Sequence, residues 1–458
     1  MAVIYMDKKS FGAMTESDIK RIYYDNRINN TKYKELDDQY IGKHKIVHKT
    51  KNNNNDPNNK IVNNFCKYVT DVMSGYFIAE PIVYSSSNDD EEFLEKIINV
   101  FEFNDEQDEN AELAKKASIH GSCFELLYMD EDANIRFSKV PASQGILIKD
   151  ASLDDGYLGF IRVLHYLNKD KELNVLLEFY TSTEIWCFSG KGEGSLNLDN
   201  IIDHYWNDVP VVEYPNNDER LGDFEGITSI NDAYNTVQSN TANLFQYNDE
   251  ALLKITKLGA VTTDDVKDMR EKGAVILDDG GDVNWMLKEI NDTAIENYKN
   301  RLIQDMHLFS GVPNMTDSSF GGNLSGVAIS YKMWSMDQIV KIKERKFKKG
   351  IQRRIELITN IFNLYGSNYD YRDINITFKR NAPQNDLENA QIANMLQGMI
   401  SQYSLLSRIN GIENPRDELE KIAEENEDKE VTNGVYTNLA KAFQLEDKYE
   451  QESEEETA

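Results

Sequence analysis

The sequence is poor in the features that mark secreted or membrane-spanning proteins. No apolar run approaches the roughly 18 residues that a membrane helix needs, and the first residues, MAVIYMDKKS, lack the pattern of a secretory signal peptide. The three cysteines, Cys66, Cys123 and Cys187, lie far apart in the sequence. An odd number of dispersed cysteines favours free, buried thiols in a reducing compartment. We therefore expect a cytosolic protein.

Motifs that carry catalytic or metal chemistry are also scarce. The glycine-rich stretch SGKGEGS at 189–195 fits neither GxxxxGK[ST] nor GxGxxG followed by a helix, which favours a hairpin turn. The stretch from Asp130 to Asn134 resembles the start of a calcium loop, but Ile135 replaces the required glycine. His44 and His48 are four residues apart, and no further ligand completes a metal site around them. The sequence predicts neither an enzyme nor a bound metal or cofactor.

The chain has few bases for its number of acids. It contains 50 Lys and Arg against 79 Asp and Glu, a formal net charge of −29. A free-standing DNA-binding protein would be basic, so this class is disfavoured. An acidic wall could let DNA pass without holding it, because it lacks the cations that bind phosphates and release counterions. Solubility explains the acidity equally well, so the charge permits this interpretation without requiring it.

The N-terminal half combines helices with a series of short strands. We expect two amphipathic helices within 15–41, a polar loop (KNNNNDPNNK) at 51–60, a helix at 61–75, a strand at 76–84 and two helices within 91–120. Gly121 would end the last of these helices. From 122 to 215, strand-like runs separated by turn clusters predict an antiparallel meander. Helices do not alternate with these strands, so a doubly wound sheet is disfavoured.

The second half is organised around long helices. The stretch Asp223–Asn248 predicts a helix whose polar faces are mostly Ser, Thr, Asn and Gln. Such uncharged faces favour packing against neighbouring copies of the chain, and a plain polar helix is the alternative. A compact insert at 253–290 separates it from a second helix, Asp292–Phe309. Beyond a flexible loop and the main helix, we expect a strand at Asn375–Lys379, a helix at Asp386–Ile409 and an acidic tail.

The main helix is predicted over Asn323–Gly366 and would be about 60 Å long. Its apolar residues recur at spacings of three, four and seven, and Gly350 is an expected bend because glycine weakens a helix. The apolar stripe lapses at Lys343 and Glu344, within a run of eight bases and one acid. This basic run could face solvent, a polyanion such as DNA, or the acids of neighbouring copies of the chain. We favour the last, because eight bases facing DNA would hold it in place. The bases are Lys341, Lys343, Arg345, Lys346, Lys348, Lys349, Arg353 and Arg354.

Five blocks of the sequence resemble, in order, the portal proteins of tailed bacteriophages, in the branch found in siphophages. The blocks are NKIVNNFCKYVTDVMSGYFIAEPIVY (59–84), AKKASIHGSCFELLYMDED (114–132), GDFEGITSINDAYNTVQSN (222–240), NDTAIENYKNRLIQDMHLFSGVPNM (291–315) and NLSGVAISYK (323–332). The resemblance covers nearly the whole chain. It depends on the order of several blocks and not on one highly specific motif.

The resemblance implies a mainly helical α+β fold with the portal architecture of wing, stem helices, clip, long bent tunnel helix and helical crown. The implied parts are the wing (1–221), stem helix (222–252), clip (253–290), second stem helix (291–311), tunnel loop (312–325), long helix with returning strand (326–382), crown (383–446) and an acidic disordered tail (447–458).

The resemblance further implies a ring of identical subunits, usually twelve, at one vertex of the capsid. Double-stranded DNA would be packaged through the ring and later ejected by the same route. The implied partners are other copies of the chain, DNA without sequence preference, the terminase large subunit, the major capsid and scaffolding proteins, and the head–tail adaptor. Assembly would take place in the host cytoplasm, and no membrane would be involved. The implied DNA-channel loop contains Thr316, Asp317, Ser318, Ser319, Phe320 and Asn323.

Two other classes fit the sequence less well. A different head–tail or capsid-associated protein would be oligomeric too, but such proteins are usually shorter and lack a paired-helix stem with an inserted domain. A metal-dependent nuclease could use some of the 79 acidic residues, although their spacing singles out no site.

Overall fold

The computed structural model describes residues 3–50, 57–88, 90–192, 196–249, 252–256, 262, 264, 267, 271, 282–286, 291–316, 326–379, 391, 394–406, 418, 419 and 421–423. The chain divides into two compact units. The first consists of Met1–Thr316 and Lys332–Asn381, and the second of Asp317–Tyr331 and Ala382–Ala458.

The first unit begins with β1 (Val3–Met6), α1 (Lys8–Gly12) and α2 (Glu16–Tyr40). The prediction of two helices within 15–41 is wrong, because α2 is continuous over 25 residues. Neither glycine nor proline interrupts this stretch. A capping box starts the helix, in which the Thr15 N–H donates to Asp18 Oδ2 at 3.0 Å.

The next helix, α3 (Phe65–Ile78), begins four residues later than predicted and continues through Gly75. Tyr76, Phe77 and Ile78 are buried in its last turn and do not form the predicted strand. The strand is restricted to β2 (Val83–Ser86), which pairs antiparallel with β13 (Ile374–Thr377). The propensity of the YFI sequence for strands is therefore overridden by the burial of these side chains on the helix.

The two helices predicted within 91–120 are confirmed as α4 (Glu91–Phe103) and α5 (Glu106–His120). Gly121 ends α5 with a φ of 83°, a conformation that favours glycine. A Cβ added there would lie 2.1 Å from the backbone oxygen of Arg220.

The region 122–215 forms antiparallel strands, as predicted, but they divide between two sheets. The strands are β3 (Ser122–Met129), β4 (Ile135–Pro141), β5 (Gly145–Asp150), β6 (Tyr157–Leu167), β7 (Leu173–Tyr180), β8 (Glu184–Lys191), β9 (Asn197–Asp203) and β10 (Val211–Pro215). A six-stranded sheet has the order β1-β5-β6-β7-β8-β9, and a three-stranded sheet the order β10-β3-β4. The sequence predicted neither β1 nor β9. Strand β1 pairs parallel with β5.

The glycine-rich stretch at 189–195 connects two antiparallel neighbours. Ser189 of β8 pairs with Asn197 of β9, which confirms the hairpin interpretation, and 193–195 lie outside the described residues. Helix α2 packs on this six-stranded sheet. Ile19 and Tyr23 belong to the same buried cluster as Ile161 of β6 and further apolar residues of β5, β7 and β8.

The second half contains the predicted pair of long helices. A 3₁₀ turn at Glu225–Ile227 leads into α6 (Thr228–Asp249), which packs against α7 (Asp292–Ser310). Between them, β11 (Leu252–Thr256) pairs antiparallel with β12 (Asp282–Met286). The predicted main helix is α8 (Gly326–Leu364), which is 39 residues long.

The C-terminal predictions have mixed outcomes. The strand predicted at 375–379 is β13. The continuous helix predicted at 386–409 is wrong within 394–406, where a turn around Gly398 (φ 85°) precedes α9 (Gln402–Leu406). Glycine in this left-handed conformation ends a helix. The remaining parts of the predicted crown and tail lie mostly outside the described residues.

Candidate functional site

Helix α8 supplies one continuous buried stripe to the first unit. Met333, Met336, Val340, Phe347 and Ile351 are all buried on it. The predicted lapse in the stripe is filled by Lys343, whose side chain is only 6% exposed and forms an ion pair with the equally buried Asp223. Ser118 of α5 donates to the same carboxylate. The stripe is therefore continuous, with one buried cation in its middle.

Gly350 allows α8 to approach the three-stranded sheet closely. A Cβ added at this position would lie 2.5 Å from Cε1 of Tyr214, a fully buried residue of β10. The helix continues without interruption through Gly350. The structure thus explains the glycine by close packing, and the predicted bend stays a prediction.

Arg354, also in the basic run, is completely buried. Its Nε and Nη2 donate to the two carboxylate oxygens of Glu125 on β3, at 2.8 and 2.7 Å. Nη1 donates to Glu106 Oε1 at 3.1 Å, and Nη2 also donates to Asn110 Oδ1 at 2.8 Å. The Tyr214 hydroxyl donates to Glu125 Oε2 at 3.0 Å. One guanidinium thus joins α8, α5 and β3 in a single buried network.

Electrostatics keep the guanidinium of Arg354 charged. Burial alone would lower the pKa of Arg354, but the nearby carboxylate of Glu125 holds that pKa well above its usual value. The guanidinium also lies 4.6 Å from the ring centroid of Phe137, a distance typical of a cation–π contact. Arg354 therefore faces neither DNA nor a neighbouring subunit, which corrects the prediction for this member of the run.

Other bases of the run also have partners within the chain. Arg353 Nη2 donates to Asp208 Oδ2 at 3.0 Å, and Lys348 Nζ to the backbone oxygen of Ile376 at 3.0 Å. Two further ion pairs join Lys341 to Asp337 and Lys346 to Asp218. For Arg345 and Lys349, the described part of the chain provides no ion pair. The run is therefore distributed around the helix, and only part of it could form an external belt.

The uncharged face of α6 packs within its own chain. Asn231, Asn235 and Ser239 are fully buried, which contradicts the prediction that these residues pack against other copies. Together with Asn243 they form what we call the polar ladder, four acceptors spaced four residues apart. Their partners are backbone N–H groups of the segment 57–65, which precedes and enters α3.

The polar ladder binds every second residue of this segment, in the antiparallel sense. The N–H groups of Phe65, Asn63, Ile61 and Asn59 donate to the side-chain oxygens of Asn231, Asn235, Ser239 and Asn243, at 3.3, 2.7, 3.0 and 2.7 Å. Four helical residues rise about 6.0 Å, and two extended residues about 6.6 Å. This near match lets a helix face substitute for the edge of a β-sheet.

The start of the predicted DNA-channel loop is held by two aromatic residues. His307 Nδ1 lies 2.9 Å from the backbone oxygen of Val312, and the Tyr68 hydroxyl donates to the backbone oxygen of Pro313 at 3.3 Å. Thr316 is exposed, and its hydroxyl donates to Asn314 Oδ1 at 2.7 Å. The other predicted loop residues, Asp317, Ser318, Ser319, Phe320 and Asn323, lie outside the described residues.

Within the described residues, no group of three or more His, Cys, Asp or Glu side chains could hold a metal ion. His44 is buried, and its Nδ1 lies 2.6 Å from Gln39 Oε1.

Among the described helices, none is long and apolar enough to cross a membrane. Cys66 and Cys123 are buried free thiols, as predicted, whereas Cys187 is half-buried. Burial raises the pKa of the Cys66 thiol to about 12.

Comparison with known proteins identifies the family. Residues 19–431 match the family described as "Phage portal protein, SPP1 Gp6-like". The chain belongs to this portal protein family. The resemblance inferred from the five sequence blocks is thereby confirmed, and it extends over most of the chain.

Two curated relatives carry the name "Portal protein". The portal protein of Bacillus phage SPP1 is 22% identical over 388 residues, which cover 80% of this chain and 76% of the relative. The portal protein of Clostridium phage phiCD119 is 24% identical over 369 residues, which cover 75% of this chain and 79% of the relative. A chain of the solved structure "Neck of empty GTA particle computed with C6 symmetry" is 11% identical, with a TM-score of 0.47, and the match covers 75% of this chain and 88% of that one.

Sequence reasoning missed both buried polar systems of this portal family member. The polar ladder has a signal in the sequence, since acceptors recur every four residues at Asn231, Asn235, Ser239 and Asn243. The Arg354 network has none that distinguishes it, because Arg354 is one of eight bases in the run. Its partners Glu106 and Glu125 lie more than two hundred residues away in the sequence.

Proposed function

We propose that the protein forms a ring-shaped channel at one capsid vertex, through which double-stranded DNA is packaged by the terminase and later ejected. The observation that carries this proposal is the match to the portal family over residues 19–431. The strongly acidic composition, −29 overall, agrees with a wall that DNA can pass without being trapped. A structural and not a catalytic role follows for the chain.

We propose the following assignment of the portal parts to the elements of the fold. The wing is 1–221 and contains the two larger sheets. The stem is α6 with α7. The clip at 253–290 contains β12 and all of its partner strand β11 except Leu252. The long helix and returning strand, 326–382, contain α8 and β13, and the crown is 383–446.

The tunnel loop, 312–325, is the proposed contact with DNA. Its first residues are held by His307 and Tyr68, which would give the rest of the loop a fixed base. Thr316 and the following Ser and Asn residues offer neutral hydrogen-bonding groups, which can touch phosphates without the strong, salt-dependent hold of lysines. Deleting 317–321 should leave capsids assembled but impair DNA retention or packaging. Normal DNA filling of capsids with this deletion would contradict the proposed role of the loop.

The proposed partners are the other copies of the ring, the terminase large subunit, the major capsid and scaffolding proteins, and the head–tail adaptor. The ring is proposed to contain twelve subunits, to assemble in the host cytoplasm and to remain in the virion. Arg345 and Lys349 are the members of the basic run for which a neighbouring subunit is the proposed partner.

Electron microscopy of the purified full-length chain tests the function directly. We expect ring-shaped particles with an axial hole, and symmetry analysis should give the subunit number. A solution of monomers at all concentrations and salt conditions would contradict the proposal. Incubation with DNA and Mg²⁺ or Mn²⁺ tests the nuclease alternative, for which we expect no cleavage.

A further inference from the structure

Helix α8 has an exposed stripe on the side away from its buried stripe. Trp334, Gln338, Ile342, Arg345 and Lys349 are all exposed, and they follow each other at helical spacings of four, four, three and four residues. Trp334 is 63% exposed and Ile342 is 50% exposed. We call these five residues the α8 stripe. It is apolar at its start and basic at its end.

The end of α7 carries further exposed apolar surface. Gly311, which follows α7, packs so closely against α8 that an added Cβ would lie 2.4 Å from Cδ1 of Ile339. Leu308 and Phe309 lie in the last turn of α7, just before this contact. They are 71% and 64% exposed. Adjacent large apolar side chains that remain exposed in one subunit are typical of a protein interface.

The first unit also has an exposed surface of opposite charge, at β9. All five residues from Asp199 to Asp203 are exposed, including the consecutive Ile201 and Ile202. We call Asp199–Asp203 the β9 edge. The strand is the last of its sheet, and within the described residues no hydrogen bond reaches its outer side.

The open β9 edge contrasts with the edge strand of the three-stranded sheet. There, the N–H groups of Phe137 and Lys139 on β4 donate to side chains of Asn104 and Glu109. Among the residues that the structure describes, side chains thus cover one sheet edge, and none forms a hydrogen bond with the outer side of β9. An exposed strand edge can accept another chain.

The basic end of the α8 stripe and the β9 edge lie toward opposite ends of the six-stranded sheet. Lys349 lines a cleft together with Tyr5 of β1 and Lys149 of β5, at one end of the sheet. β9 is at the other end, four strand spacings beyond β5, which is about 19 Å. Two different surfaces on opposite sides of one body generate a ring when each binds the other surface on the next copy.

We propose that the α8 stripe of one subunit binds the β9 edge of its neighbour. Trp334 and Ile342 would pack on the apolar side chains of the edge, and Arg345 and Lys349 would pair with Asp199 and Asp203. This inference rests on the proposed ring function and adds to it the identity of two contacting surfaces. The occupant is a second copy because the two surfaces are complementary in both charge and polarity. DNA would complement the bases but not the exposed Trp334 and Ile342.

Charge reversal tests the pairing in the full-length chain. The double variant Arg345→Glu/Lys349→Glu and the double variant Asp199→Lys/Asp203→Lys should each raise the concentration needed for ring assembly by at least about tenfold, because like charges then meet. The variant that combines all four changes should recover most of this loss. Lys34→Glu/Lys169→Glu, with exposed lysines on α2 and in the β6–β7 turn, is the matched control and should assemble normally. Circular dichroism should show that all of the variants are folded.

Photo-crosslinking identifies the contact independently. A benzoylphenylalanine at position 342 should give a covalent dimer, and mass spectrometry should place the link within the peptide that contains 197–205. Rings that form while the link lies elsewhere, or that assemble normally despite both charge reversals, overturn the inference and leave the proposed function intact. A wild-type chain that never forms rings overturns both. Loss of DNA binding by Arg345→Glu/Lys349→Glu with unchanged assembly assigns the stripe to DNA and also overturns the inference.

Discussion

The guanidinium of Arg354 and the carboxylate of Glu125 form two parallel hydrogen bonds, at 2.7 and 2.8 Å, with both side chains fully buried. The two residues belong to the long helix α8 and to the central strand of the three-stranded sheet. Because this fork geometry is planar and specific, it fixes the rotation and the height of α8 against the sheet. Buried ion pairs of this kind need not add stability, but breaking one leaves an uncompensated charge.

We predict that Arg354→Met lowers the free energy of unfolding by about 3–5 kcal/mol at pH 7.5, because Glu125 and Glu106 lose their buried counter-charge. Burial already raises the pKa of Glu125, and without Arg354 it should raise it further. A carboxyl group whose pKa is raised in the folded state stabilises the folded protein at low pH. This stabilisation is lost as the pH rises. The difference between variant and wild type should therefore shrink toward pH 5, as measured by denaturant unfolding. The exposed Arg372→Met is the control and should differ little from wild type.

The polar ladder gives a second prediction. Asn235→Ala removes the acceptor of the Asn63 N–H group. It should lower the free energy of unfolding by about 1–3 kcal/mol, because that amide is left without its partner. Hydrogen–deuterium exchange should accelerate in peptides that cover 59–65. Asn300→Ala, at an exposed position of α7, provides the comparison and should leave this exchange unchanged. Equal exchange in both variants would show that the ladder does not hold the segment.

Two helical glycines should respond in opposite directions to alanine. A Cβ added at Gly75 in α3 would have no atom within 4 Å. Gly75→Ala should therefore raise the free energy of unfolding by up to about 1 kcal/mol, because alanine has the higher helix propensity. Gly350→Ala gains the same propensity but places its methyl group 2.5 Å from the Tyr214 ring. Because Tyr214 is fixed by its bond to Glu125, we expect a net decrease in melting temperature. An increase for both variants would contradict the packing role of Gly350.

The buried His44 predicts a dependence of stability on pH. Burial lowers the pKa of His44 below its ordinary value of about 6.5, and the bond with Asn64 and the charge of Asp232 oppose this only partly. The unfolded chain therefore binds more protons just below pH 6.5, and stability should fall as pH decreases through this value and level off below the folded pKa. The melting temperature of His44→Asn should vary less between pH 7.5 and 5 than that of wild type. The slope that remains in this variant includes a contribution from His204, because burial lowers the pKa of His204 as well. His48→Asn, at an exposed position, should keep the wild-type slope.

Much of the fold could be predicted because the signals are local. The helices α4 to α8 follow apolar periodicity, and alternating runs indicated most strands of the meander. Helix α5 ends at the expected Gly121, and α8 ends two residues before Gly366. The strand β9 was missed because its residues 199–203 are exposed on both faces, so no alternation marks it. The strand β1 was missed because four residues at the start of a chain are too short for a pattern. The split of the meander into two sheets depends on long-range pairing.

The functional surfaces were harder to predict from the sequence. The basic run is continuous in sequence, but a helix places successive residues on different sides. The run therefore divides into three groups. Lys343 and Arg354 are buried, and Lys341, Lys346, Lys348 and Arg353 have partners nearer the surface. Arg345 and Lys349 are exposed. Sequence alone could not separate these groups, because their partners come from distant elements. The family, in contrast, could be identified from the order of several moderately similar blocks.

The spacing of the polar ladder makes the chain segment 57–65 sensitive to its own length. Each step of four residues on α6 meets two residues of the segment, and the four bound N–H groups belong to odd-numbered residues. An insertion of two residues would move the pairing by one step and preserve the facing N–H groups. An insertion of one residue would turn these groups away from α6 and present the alternate ones. The length of this segment should therefore differ by even numbers of residues among relatives that retain the polar ladder.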